Sequence, residues 1–94
     1  MPQPLESAIV TKIMKAVNAK QGCRLKKYHG SQFGQLELDL YGVVNGRPAF
    51  VEVKRPGGKP SPRQAKEIET WASLGAVTGC VTSVDEAFSL LGLN

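Results

Sequence analysis

Two short alternating stretches around Asn45-Gly46 constrain this chain more than any other feature. Leu36, Leu38 and Leu40 alternate with Glu37, Asp39 and Tyr41, and a second strand runs from Pro48 to Lys54. Alternation with a period of two marks a strand with one face on a core. Asn-Gly between two such runs is the strongest short-range signal for a two-residue hairpin turn. If Asn45 and Gly46 form that turn, Val44 faces Arg47, Asp39 faces Glu52, and Glu37 faces Lys54. Side chains alternate between faces, so these four charged groups share one face of the sheet.

The remaining elements assemble around this hairpin. A helix is expected from about Leu5 to Lys20, because Leu5, Ile9, Ile13 and Ala16/Val17 recur every three to four residues. Gly22 suits its C-terminal cap. Cys23–His29 forms a short strand carrying Arg24, Lys26 and Lys27, and a loop follows at Ser31–Gly34. After the glycine–proline loop Arg55–Pro60, Ser61 suits an N-cap, with proline at the first helical position and Gln64 at the third. That helix runs to about Leu74 and ends at Gly75. Ala76–Val81 is expected as a buried strand, and Ser83, with Glu86 three residues on, opens a last helix ending near Leu91. The order α-β-β-β-α-β-α predicts an α/β (α+β) fold with a central mixed sheet flanked by helices. All of residues 1–94 is expected to form a single domain.

Composition narrows the function. Hydrophobic residues make up 41% and charged residues 21% of the 94-residue chain, which argues against disorder. No apolar run approaches the roughly 18 residues that span a membrane, and the N-terminus has no signal-peptide pattern. The two cysteines, Cys23 and Cys80, make neither a disulfide framework nor a zinc site, and Cys80 is expected as a buried thiol. A cytoplasmic location is expected. The net charge is only +4, but all 12 basic residues lie between Lys12 and Lys66, and only acidic residues follow. One part of the molecule should therefore be strongly positive, as a polyanion partner such as nucleic acid requires.

The chemistry lies in the hairpin. Carboxylates directly opposed on a sheet repel each other, and a divalent cation between Asp39 and Glu52 removes that repulsion. Mg²⁺ takes oxygen ligands, commonly one or two carboxylates with water and phosphate. Lys54 on the same face is placed to hold an attacking water or stabilise charge growing on a phosphate. Glu-x-Lys is weak alone, and a surface Glu37–Lys54 salt bridge is the bland alternative. The acidic strand, the tight hairpin and the otherwise apolar second strand together favour a phosphodiester hydrolysis site.

Asp39, the triplet Glu52-Val53-Lys54, the run Gly57-Gly58-Lys59-Pro60-Ser61 leading to Gln64, and Leu74-Gly75-Ala76 before an apolar strand resemble the VRR-Nuc family. This is the virus-type replication–repair nuclease branch of the PD-(D/E)xK superfamily. Glu6 occupies the family's early glutamate position. Leu38 departs from the proline that often precedes the aspartate. The resemblance implies a restriction-endonuclease-like core, with Asp39, Glu52 and the Val53 carbonyl as ligands to Mg²⁺ or Mn²⁺. It implies a catalytic Lys54, assisted by Glu6 and Gln64. It further implies an endodeoxyribonuclease acting on branched DNA such as Holliday junctions, in a DNA-repair setting. The resemblance also implies a homodimer, in the host cytoplasm for phage-encoded members.

Some assignments stay open at this level. Glu6 also suits a first helical turn through the helix dipole, and Gln64 suits a capping box equally well. Arg55, Lys59 and Arg63 surround a helix N-terminus, a seat for DNA phosphates, or form a solvated surface. His29 contacts nucleic acid or is structural. Trp71 is expected in the core or a dimer interface. A non-catalytic nucleic-acid-binding module and an RNA-cleaving enzyme are the alternatives to a DNA nuclease.

Overall fold

The turn at Asn45-Gly46 closes in the register expected from its two-residue length. The computed structural model describes residues 5–28 and 38–94. In it, β2 (Leu40–Val44) and β3 (Arg47–Val53) pair antiparallel, with Val44 opposite Arg47 and Leu40 opposite Val51. Asn45 and Gly46 both take positive φ, 51° and 82°, the left-handed pair that matches the twist of a hairpin. Around the hairpin stand α1 (Glu6–Asn18), β1 (Cys23–Lys27), α2 (Pro62–Ser73), β4 (Val77–Val81) and α3 (Val84–Leu91), in the expected order. The strands form one mixed sheet, β1-β2-β3-β4, in which α2 carries the chain between the parallel strands β3 and β4.

The two faces of the sheet differ. Ala49, Val51 and Val53 of β3 point to the face covered by α1 and α3. There Ile9, Val10, Ile13 and Val17 of α1 and Ala87 and Leu91 of α3 complete a core with Leu25, Leu40, Val44 and Val81. Phe50 and Glu52 point to the other face. Among the described residues only α2 lies over it, and it contributes no buried residue. Its main anchor is Trp71, stacked on Phe50 with ring centroids 4.5 Å apart. Among the described residues, no helix is long and apolar enough to cross a membrane.

Several expectations are corrected. The first helix stops at Asn18, and its C-cap is Ala19 in a right-handed conformation rather than Gly22. Asn18 ends it by turning to the sheet: its side chain accepts from Leu25 N at 2.7 Å and donates to Leu25 O at 2.9 Å. One amide thus satisfies the open edge of β1 as a neighbouring strand would. Gly22 lies in the following turn, and its carbonyl accepts from Asn45 N at 2.9 Å. Leu5 is exposed, whereas Val10 is buried.

The second strand begins at Leu40, and Leu36 and Glu37 lie outside the described residues. The ladder stops because Asp39 intervenes. A continued ladder would place Val53 opposite Leu38. Instead Val53 N donates to the Asp39 carboxylate Oδ2 at 2.9 Å. The first strand ends at Lys27, although Tyr28 N still reaches Asp39 O at 2.9 Å. β4 is half-buried rather than buried, with only Val81 fully enclosed. It is an edge strand, and the helix over its second face covers little. Cys80 is accordingly half-buried.

Candidate active site

Glu52 sits in the middle of an apolar strand, and alternation turns it away from the main core. Yet only 2% of it is exposed. The chain leaving β3 produces this burial. Lys54 follows, and the loop then folds back, with Gly58 N donating to Arg55 O at 2.8 Å. A Cβ on Gly58 would stand 3.0 Å from that carbonyl and 3.1 Å from the Lys54 Cβ, so the tight return favours glycine. It delivers Ser61 and the first turn of α2 beside Glu52.

Gln64 forms the capping box and also reaches the buried carboxylate. Ser61 Oγ accepts from Gln64 N at 3.2 Å, and Ser61 N donates to Gln64 Oε1 at 2.9 Å, closing a capping box. The other end of the same amide, Nε2, donates to Glu52 Oε2 at 2.9 Å. Lys54 Nζ approaches that oxygen at 3.3 Å. The second oxygen, Oε1, is buried and takes no hydrogen bond among the described residues.

This environment resists charge on Glu52. Burial is the largest influence and the negative charge of Asp39 the next; together they push the carboxyl up to about 7 against the opposing pull of Lys54. Burial also works against the Lys54 ammonium. The hydrogen bond and charge of Glu52, with the charges of Glu6 and Asp39, outweigh it and hold Lys54 above the ordinary lysine range.

The fold thus brings Asp39, Glu52, Val53, Lys54 and Gln64 together. Glu6, exposed at the first position of α1, is near enough for its charge to act on Lys54. Arg55, Lys59 and Arg63 are exposed on the loop and the first turn of α2 that border this cluster. His29 lies outside the described residues. Trp71 belongs to neither the main core nor an open platform, since it stacks on Phe50 and its Nε1 donates to Glu67 at 2.8 Å.

One neighbour of the site has no signature in the sequence. Cys80 stands beside Glu52 in the parallel pairing of β3 and β4. Burial, and then the charge of Glu52, pushes its thiol up. A parallel register has no local turn to reveal it.

The donor set suits a hard cation. Among the described residues, no group of three or more His, Cys, Asp and Glu side chains gathers as a metal cluster. The site offers a carboxylate pair and a neighbouring backbone carbonyl, oxygen donors that suit Mg²⁺ rather than a soft metal. A cation would also give the unpartnered Glu52 Oε1 a ligand and relieve the repulsion between the carboxylates.

No family model and no curated protein matches the sequence. A solved structure described as a VRR_NUC domain protein does match the fold, with a TM-score of 0.76 over 97% of this chain and 88% of that one. Sequence identity between them is 16%. The chain therefore has a VRR_NUC-like fold, the architecture implied by the resemblance of its hairpin.

Proposed function

We propose that this protein is a metal-dependent endonuclease that hydrolyses phosphodiester bonds in DNA. The observation that carries this reading is the buried Glu52, with one oxygen unpartnered, held between Asp39 and Lys54. A stable fold gains nothing from two repelling carboxylates in this position unless a cation joins them. Asp39, Glu52 and the Val53 carbonyl would hold Mg²⁺ or Mn²⁺, which when bound polarises the phosphate and activates water.

The chain's own groups account for the rest. Gln64 fixes the orientation of Glu52 from the rigid start of α2. Lys54 keeps its proton and presents a positive charge to the phosphate oxygens, where negative charge grows in the transition state. Glu6 helps keep that ammonium charged. Arg55, Lys59 and Arg63 contact the DNA backbone beside the scissile bond.

The substrate is branched DNA such as a four-way junction, and the active form is a homodimer whose two sites reach two strands. The dimer is supported by α2, which buries none of its own residues and leaves Leu74 72% exposed. Cleavage of labelled junction, flap, duplex and single-stranded DNA, and of the corresponding RNA, tests the substrate. Preferential, paired incision of the junction is expected. Cleavage confined to RNA, or no preference for branches, contradicts this assignment.

A further inference from the structure

The half of the sheet face that α2 leaves uncovered carries charge that the proposed site does not use. Cross-strand pairing sets out its rows. Lys26 stands opposite Tyr41, which stands opposite Phe50; one row further from the site, Arg24 stands opposite Val43. Glu52 follows Phe50 by two residues, so alternation puts Arg24 and Lys26 on the same face as Glu52. Both are exposed and have no acidic partner among the described residues. Tyr41 is half-buried beside them, with its ring edge-on to Tyr28 at 6.4 Å. Along the outer side of β1, the groove reaching Tyr41 also includes Lys27 and Asn18.

What this surface accepts follows from charge and from the state of the edge. Its basic groups are Arg24 and Lys26, with Lys27 at the strand's outer edge, and charge complementarity points to a polyanion. Asn18 already occupies both backbone groups of Leu25. A partner protein therefore has little free edge on which to add a strand. The span from Arg24 to Tyr28 is four residues, about 13 Å of strand. That matches the rise of about four base pairs.

We propose that this stripe is a DNA track. Arg24 and Lys26 hold phosphates of the strand that approaches the site from the side away from α2, and Tyr41 packs against its sugars and bases. The track rests on the nuclease reading above and extends it to a second group of phosphates, on the opposite side of the site from Lys59 and Arg63.

The test compares wild type with two double variants, Arg24→Gln/Lys26→Gln and Lys12→Gln/Lys15→Gln, the second on α1 across the sheet. Fluorescence anisotropy in EDTA measures binding of a labelled duplex against salt. Hydrolysis of bis(p-nitrophenyl) phosphate with Mn²⁺ measures chemistry on a diester too small to touch the track. The Arg24/Lys26 variant is expected to bind about tenfold more weakly, with a salt slope smaller by about 1.8, near 0.9 for each phosphate that is no longer neutralised. Its hydrolysis of the small diester should be unchanged, and the Lys12/Lys15 variant should bind as wild type does. An unchanged slope in the Arg24/Lys26 variant overturns the track. So does an equal loss in the α1 variant, which would mean diffuse charge. A change of oligomeric mass with no change in salt slope also overturns it, because the face would then join two copies. A wild type that binds DNA through Arg24 and Lys26 but hydrolyses neither substrate supports the track and removes the nuclease reading.

Discussion

Gln64 and Glu52 are joined by a hydrogen bond of 2.9 Å from an amide whose other end is locked into the cap of α2. The amide therefore ties the helix start to the buried carboxylate. Gln64→Ala should remove both hydrogen bonds, lowering stability by about 1–2 kcal/mol and cutting activity. Gln64→Glu keeps an acceptor for Ser61 N but no donor for Glu52. It should retain the cap and still lose most activity. Urea unfolding with parallel cleavage assays separates the effects. Full activity in Gln64→Glu would reduce Gln64 to a helix cap.

Glu52 should make the metal-free protein sensitive to pH. Its carboxyl is pushed up to about 7 from an ordinary value of 4.5, by burial first and Asp39 second. A raised carboxyl favours folding only while protonated. Below about pH 4.5 the group is neutral in both states and imposes no penalty. Between about 4.5 and 7 the unfolded chain releases its proton more readily, and stability falls as pH rises. The full loss is about 3 kcal/mol at most. In EDTA, wild type should lose more stability than Glu52→Gln between pH 5 and 8. Mg²⁺ should stabilise wild type increasingly over the same range, since the ligand must be ionised. Parallel pH curves for the two proteins would contradict the burial of an ionisable Glu52.

The carboxylate pair should respond to metal as a pair. Asp39→Asn keeps an oxygen for Val53 N and removes one charge. Without metal it should be at least as stable as wild type, and it should be inactive. Excess Mg²⁺ should raise the melting temperature of wild type by mass action, about 2.7 kcal/mol at a hundredfold excess over Kd. The variant should gain much less. Equal shifts in thermal melts would place the metal elsewhere.

The dimer has its own test. Light scattering at micromolar concentration should give about twice the 10.1 kDa chain mass, and Leu74→Glu should lower it. A monomer mass throughout that range, with or without DNA, would reject the dimer.

How far the sequence reveals this arrangement depends on the range of each interaction. The hairpin register is legible because a two-residue turn fixes it locally, and that register brings Asp39 near Glu52. Ser61, Pro62 and Gln64 mark the start of α2 for the same reason. The bond from Gln64 to Glu52 is not legible, because it depends on how the loop after Lys54 folds back. The position of Cys80 beside Glu52 depends on a parallel pairing set by α2. The early end of the ladder at Leu40 reflects a side chain, Asp39, taking a backbone partner. Asn18 likewise replaces a strand at the edge of β1, which no periodicity announces.

Lys54 offers the most direct measurement of the proposed chemistry. Its side chain is 22% exposed and contributes nothing to the core, so Lys54→Ala should fold. Cleavage of labelled branched DNA should be compared for wild type and Lys54→Ala with Mg²⁺, Mn²⁺ and EDTA, with circular dichroism confirming the fold. The expected result is cleavage by wild type in either metal, none in EDTA, and a loss of at least about a hundredfold in Lys54→Ala. Undiminished cleavage in EDTA, or a folded Lys54→Ala protein as active as wild type, would contradict a metal-dependent nuclease site at Asp39, Glu52 and Lys54.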